Sequence, residues 1–351
     1  MKPYSVMKTV AVATSLAVLM SAPAANADTK LIGSGASFPA PIYSKWFKDF
    51  GKKTRGVRVD WQSKGSGAGI QDFINNTVDF AASDAAMNDE EIDKVKQGVV
   101  LLPMTAGEIV LSYNLKGVKE LKLPREVYPA ILLGKITPWN DPKIAAANPG
   151  VKLPDDDITV VVRSDSSGTS YVFTGHLSAI NEDFKNEVGQ SKAPNWPKAG
   201  KIVKAPKNDG ITATIKQTPG AIGYIEYGFA KLTKAPTAML ENKSGNFVLP
   251  SDKSGSEALA SAEFPAGDLP GGDVPDLRVW LFDPAGADAY PIATFTWMLM
   301  YRHGDPKKAD VLRNLVEYCL TDGQKIADQM GYIPLPDNVV AKVREVSQMV
   351  Q

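Results

Sequence analysis

Cysteine and histidine are almost missing from this chain of 351 residues, which has one Cys and two His. A single thiol cannot close an internal disulfide. Cys319, His176 and His303 are too few and too scattered for metal-ligand spacing, so no metal and no cofactor is expected. An excess charge of either sign is missing too, with Lys+Arg and Asp+Glu both at 39. Without a basic field, nucleic acid is not an expected partner, and no broad acidic surface is expected either. Any site for a charged ligand must therefore be local. The glycine loops lack the Gly-Lys-Ser/Thr ending of a nucleotide-binding loop. No G-x-S-x-G turn is present to expose a nucleophilic serine.

Long apolar runs are scarce. The run Val10 to Met20 is short for a membrane span. Lys2 and Lys8 near its start and Ala25-Asn26-Ala27 after it read as a secretory signal over residues 1–27. Cleavage after Ala27 would start the mature chain at Asp28 and leave it without a membrane span. No cysteine stands at that junction, so a lipid anchor is not expected. Loss of Lys2 and Lys8 leaves 37 basic against 39 acidic residues, about −2. Cys319 shares an apolar face with Leu312, Leu315 and Val316 and reads as a small buried hydrophobe.

What remains is long enough for two domains. Leu31-Ile32 leads into the loop Gly33 to Pro39, followed by a helical pattern with Tyr43, Trp46, Phe47 and Phe50 on one face. Pro39 suits the first helical turn and Ser37 its cap. Val57, Val59 and Trp61 alternate as in a strand. The Gly/Ser loop Gly65 to Gly69 comes next, then a helix with Ile70, Phe73 and Ile74 inward. Val78 to Asp84 reads as an apolar strand ending on a carboxylate. Glu108–Tyr113, Ile158–Val162, Ala221–Ile225 and Ile292–Tyr301 also read as strands, with helical patterns between many of them. This alternation predicts an α/β architecture with mostly parallel sheets. Ser244 to Pro275 reads as a hairpin plus a long surface loop.

The most informative stretch is Arg163-Ser164-Asp165-Ser166-Ser167-Gly168-Thr169, between a buried strand and a helix with Phe173, Leu177 and Ile180 on one face. A helix start has unpaired N–H groups and partial positive charge, which suit an anion. Ser167 and Thr169 add hydroxyls, Gly168 allows close backbone approach, and Arg163 adds a guanidinium fork matched to phosphate or carboxylate. Similar hydroxyl-bearing junctions occur at Ser37-Phe38 and Ser66-Gly67. Ligands of open α/β sheets sit at the carboxyl ends of strands, so all three could face one cleft. Taken singly, Ser37 and Ser66 read as helix caps, Asp84 as a turn residue and Arg163 as a surface ion pair.

Together the stretches GSGASFPAPIYSKW, QSKGSGAG, NTVDFAASDAAM, GKITPWND, VVRSDSSGTSYVF, NDGITATIKQTPGAIGYIEY and YPIATFTWMLMY span nearly the whole mature chain. In this order they resemble the periplasmic phosphate-binding proteins of the phosphate-specific ABC transport (Pst) system. The resemblance implies a two-lobed class II periplasmic-binding-protein fold whose chain crosses twice between lobes. Lobe I would hold residues 28–112 and 287–351, and lobe II residues 113–286. It implies a phosphate site of Ser37, Phe38, Ser66, Asp84, Arg163, Ser167, Gly168 and Thr169, with Asp165 pairing with and positioning Arg163. The implied function is binding of hydrogen phosphate in the periplasm and delivery to an inner-membrane ABC importer, whose permease subunits and cytoplasmic ATPase would be the partners. A monomer that performs no chemistry is expected. Three other readings stay open: a receptor for another oxyanion, a phosphate-binding adhesion or signalling protein of the same fold, and an enzyme using Ser167 or Ser170 with His176.

Overall fold

The computed structural model describes residues 29–351. The expected signal segment 1–27 lies outside the described residues. Eleven strands are found among the described residues: β1 (Thr29–Gly35), β2 (Val57–Ser63), β3 (Phe80–Ser83), β4 (Val99–Tyr113), β5 (Lys122–Leu123), β6 (Thr159–Arg163), β7 (Lys201–Ala205), β8 (Ala221–Glu226), β9 (Met239–Glu241), β10 (Phe247–Val248) and β11 (Ala293–Tyr301). Eight of them form one sheet in the order β2-β1-β3-β11-β4-β8-β6-β7, and β10-β9-β5 form a second, small sheet.

Both ends of the large sheet are parallel and its middle is antiparallel. β1 pairs in parallel with β2 and β3, and β6 with β7 and β8. In between, β3-β11, β11-β4 and β4-β8 are antiparallel. β4 links the two halves. Its residues Val99–Glu108 pair with β11, and Ile109–Tyr113 pair with β8. All fifteen residues of β4 are buried, although Pro103, Thr105, Gly107, Glu108 and Ser112 interrupt its apolar residues. The sequence reading caught only Glu108–Tyr113. Pro103 hid the first part, because proline in a central strand is tolerated only where the ladder is irregular. A register shift between Thr296 and Trp297 of β11 supplies that irregularity opposite Pro103.

The helix Ala40–Lys53 buries Ile42, Tyr43, Trp46, Phe47 and Phe50. The Trp46 indole donates to Gly323 O at 2.8 Å, tying the start of the chain to its C-terminal part. Ser37 does not cap this helix. Pro39 holds the cap position, Pro41 lies in the first turn, and no side chain caps the end. The hairpin expected within Ser244 to Pro275 starts earlier: it is the β9–β10 pair, and only β10 falls inside that stretch. A helix, Asp252–Leu259, follows where a loop was expected, capped by Ser251 Oγ accepting from Ser254 N–H. Gly255 and the alternating polar residues masked its short apolar face. Among the described residues, no helix is long and apolar enough to cross a membrane.

Gly35, at the carboxyl end of β1, shows how closely these strand ends approach. Its φ is +139°, and a Cβ there would fall on the Ala82 carbonyl oxygen of β3. Its own carbonyl accepts from both Lys64 N–H and Gly65 N–H at 2.9 Å. Substitution Gly35→Ala combines backbone strain with a clash against backbone. We expect it to cost about 2–4 kcal/mol of folding stability, read as a lowered urea-denaturation midpoint at unchanged slope. A midpoint within error of the wild type would show that β1 and β3 can part without penalty.

Candidate functional site

The carboxyl ends of the parallel strands converge on one place. The loop after β1 carries Ser37 and Phe38, the helix Ser66–Ile74 starts after β2, Asp84 follows β3, and the helix Gly168–Ile180 starts after β6. The helix Lys207–Gln217 starts after β7. The two ends of the sheet meet here: Gly67 N–H donates to Ser166 O at 3.0 Å and Asn208 N–H to Ser37 Oγ at 3.1 Å. Arg278 reaches Asp89 at 2.8 Å, and Lys192 pairs with Glu91. Gly168 admits no side chain. A Cβ there would stand 2.7 Å from Asp84 Oδ2 and nearer still to Ser66 Oγ.

Asp84 is the unusual member. It is buried at 1% exposure. Its Oδ1 accepts from Thr296 Oγ1 at 2.9 Å. Its Oδ2 lies 3.5 Å from both Ser66 Oγ and Thr169 Oγ1, at the outer edge of hydrogen bonding. Burial pushes its carboxyl up to about 7, against the opposing influence of Thr296, Arg163, Thr169 and Ser66. One oxygen is thus held firmly, and the other can still take a proton or a donor.

Arg163 is fixed from one side. Nε donates to Asp165 Oδ1 at 2.8 Å and Nη2 to Asp165 Oδ2 at 2.5 Å. The Lys207 N–H holds Asp165 Oδ1 at 2.9 Å. The Arg163 side chain is 1% exposed, and its Nη1 is buried with no hydrogen-bond partner among the described residues. Arg163 as a surface ion pair is therefore excluded. The pairing holds the Asp165 carboxyl below the ordinary range despite its partial burial.

The backbone amides of Ser37, Phe38, Ser66, Gly168 and Thr169 have no acceptor among the described residues. Those of Ser66, Gly168 and Thr169 lie in first helical turns, where no intrahelical acceptor exists. Ser167 differs from the expectation. Its amide is spent on Lys192 O at 2.8 Å. Its Oγ caps the helix by accepting from Ser170 N–H at 3.0 Å, so only its hydroxyl hydrogen is left for a ligand. Ser66 is the first residue of its helix rather than the cap, which is Gly65. Phe38 is fully buried, and its carbonyl accepts from Tyr332 Oη at 2.8 Å.

Two residues at the site were not picked out from the sequence. Thr296 lies mid-strand in β11, where a threonine in an apolar run gives no signal of its own. Asn208 binds both Ser37 Oγ and Thr169 Oγ1 through its side-chain amide. Its signal was an asparagine at a strand-to-helix junction, in the stretch NDGITATIKQ.

His176, considered above as a base for serine, is engaged elsewhere. Nδ1 donates to Phe282 O at 2.6 Å, so Nε2 accepts from Tyr128 Oη at 2.8 Å. Burial lowers its pKa to about 4. Ser170 Oγ is bonded to Tyr224 Oη at 2.7 Å. His303 is exposed and Cys319 is buried. Among the described residues no group of three or more His, Cys, Asp or Glu is arranged to hold a metal ion.

Fold and site together define a protein of the periplasmic-binding-protein class, and residues 21–322 match the family model of the PBP superfamily domain. The chain is 37% identical over 333 residues to the phosphate-binding protein PstS of Pasteurella multocida, covering 94% of this chain and 93% of that one. It is 36% identical over 325 residues to the phosphate-binding protein PstS of Haemophilus influenzae, covering 92% and 93%. A solved phosphate-binding protein from Stenotrophomonas maltophilia aligns with a TM-score of 0.72 over 90% of this chain and 93% of that one, at 22% identity, a likeness of fold. The chain belongs to the PstS family of phosphate-binding proteins.

The raised carboxyl of Asp84 has a consequence for stability without ligand. Its folded pKa lies above its unfolded value, so the folded state holds the proton more tightly, and the cost of this residue grows as pH rises from about 4 to about 7. Asp84→Asn removes that cost. The variant should gain stability relative to wild type by about 2–3 kcal/mol more at pH 8 than at pH 5, in urea denaturation of phosphate-free protein. A pH-independent difference would mean that Asp84 titrates as an ordinary carboxylate.

Proposed function

We propose that the protein binds hydrogen phosphate between two lobes and delivers it to an inner-membrane ABC importer. The observation that carries this reading is the donor set: a guanidinium nitrogen, five unengaged amides and several hydroxyls around one buried carboxylate. An enclosed dianion must have its lost water bonds replaced. One arginine and many neutral dipoles do that without the deep electrostatic trap a lysine cluster would make. Asp84 gives selectivity. Its free oxygen accepts the proton of hydrogen phosphate, whereas sulfate at neutral pH has no proton to offer and would face it acceptor to acceptor.

The proposed ligand residues are Ser37, Phe38, Ser66, Asp84, Arg163, Ser167, Gly168 and Thr169, with Asp165 orienting Arg163. Lobe I is residues 28–112 with 287–351, and lobe II is 113–286. The switch of partners within β4, from β11 to β8, supports a hinge there. Ligand contacts from both lobes would favour the closed form, which would then dock on the permease. In this reading the signal is cleaved after Ala27, the mature protein works as a periplasmic monomer, and no bond of the ligand is made or broken. A receptor for another oxyanion is the second reading; the Asp84 oxygen, with its need for a proton or donor, favours phosphate over it.

The test is calorimetric titration of the chain from Asp28 to Gln351, unfolded and refolded to strip anions. Phosphate should bind one to one, and sulfate about 10⁴–10⁵-fold more weakly. Asp84→Asn should narrow that ratio. Equal binding of both anions by the wild type, or an unchanged ratio in the variant, would sink the role of Asp84. Binding of neither would sink the phosphate reading.

A further inference from the structure

We propose that Asn208 sets the proton polarity of the cleft: it fills acceptor positions of two hydroxyls, so that both present their O–H to the anion. This inference rests on the phosphate reading above and adds a positioning residue to it. Asn208 is fully buried at the start of the helix Lys207–Gln217. Its Oδ1 accepts from Glu226 N–H at 3.0 Å. A backbone N–H can only donate, so that bond fixes which end of the amide is oxygen. Nδ2 therefore points the other way, to Ser37 Oγ at 3.0 Å and Thr169 Oγ1 at 3.1 Å. The Asn208 backbone N–H also reaches Ser37 Oγ, at 3.1 Å.

A hydroxyl has two acceptor positions and one donor hydrogen. On Ser37 Oγ both acceptor positions are taken by Asn208, so only the O–H remains. On Thr169 Oγ1 one is taken, and Asp84 Oδ2 stands on another side at 3.5 Å. Left alone, a serine or threonine hydroxyl serves donors and acceptors alike. With Asn208 in place the Ser37 hydroxyl can only donate, and Thr169, with one acceptor position filled and the acceptor Asp84 Oδ2 beside it, is turned toward donating, which an anion requires. The arrangement also depends on closure. Ser37 follows β1 while Thr169 and Asn208 follow β6 and β7, so the Asn208–Ser37 bonds form only where the two ends of the sheet meet, and the Asn208–Thr169 bond lies within one end.

The test compares phosphate affinities of stripped wild type, Asn208→Ala, Asn208→Asp, the pair Ser37→Ala/Thr169→Val, and that pair combined with Asn208→Ala. Asn208→Ala should weaken phosphate by about 10–100-fold. In the background lacking both hydroxyls the same substitution should cost under about threefold, because there is no hydroxyl left to orient. Equal losses in the two backgrounds would reduce Asn208 to a structural part and overturn the inference, as would no loss in either. Should Asn208→Ala fail to fold, Asn208→Asp carries the test. It keeps the bond from Glu226 N–H but presents acceptors to both hydroxyls, so phosphate should weaken by about 10²-fold or more at pH 7.5. Wild-type affinity in Asn208→Asp would overturn the inference, while failure of the wild type to bind phosphate would overturn the parent reading instead.

Discussion

Everything around the cleft answers to one electrostatic constraint: charge taken out of water must meet a complete set of oriented partners. A buried guanidinium, Arg163, is tolerable because Asp165 takes two of its N–H groups and Lys207 N–H in turn holds Asp165. A buried carboxylate, Asp84, is tolerable because Thr296 holds one oxygen and hydroxyls lie near the other. Neither group would stay in place if its partner were lost, since an uncompensated buried charge costs several kcal/mol. The Arg163–Asp165 pair is local, but Lys207 N–H and Thr296 come from distant parts of the chain, and the fold brings them to one point.

The means is the central antiparallel pair. β4 pairs with β11 over its first part and with β8 over its last, so one continuous strand joins the two halves of the sheet. Parallel strands on either side then aim their carboxyl ends, and the loops and helix starts behind them, at the same cleft. Helix starts are a natural source of donors there, because their first amides have no partner within the helix. The fold offers unengaged amides and spends little side-chain charge. That suits a ligand that must be held firmly and then released.

Some of this was legible along the chain and some was not. The motif Arg163 to Thr169 was legible because its ion pair and its helix start are local. Arg163 and Asp165 are two residues apart, and the cap Ser167 lies three before Ser170. The strand hidden by Pro103 and the helix Asp252–Leu259 were not, because each is rescued by partners outside its own segment. For the helix, the partner is the Glu108 carboxylate, which accepts from Ser254 Oγ at 2.8 Å and Ser251 N–H at 3.2 Å. Ser37 read locally as a cap, yet its hydroxyl is taken by Asn208, 171 positions away.

By itself, the order of residues determined the alternation of strands and helices, the lack of a second cysteine for an internal disulfide, and the local Arg163–Asp165 pair at the start of a helix. Each of these depends on propensity, composition or contacts within a few residues. Only the tertiary structure decided that Thr296 meets Asp84, that Asn208 holds Ser37 Oγ and Thr169 Oγ1, and that the Ser167 amide is already spent. These follow from hydrogen-bond geometry between segments far apart in sequence. A donor's availability depends on what else it touches, and no local pattern records that.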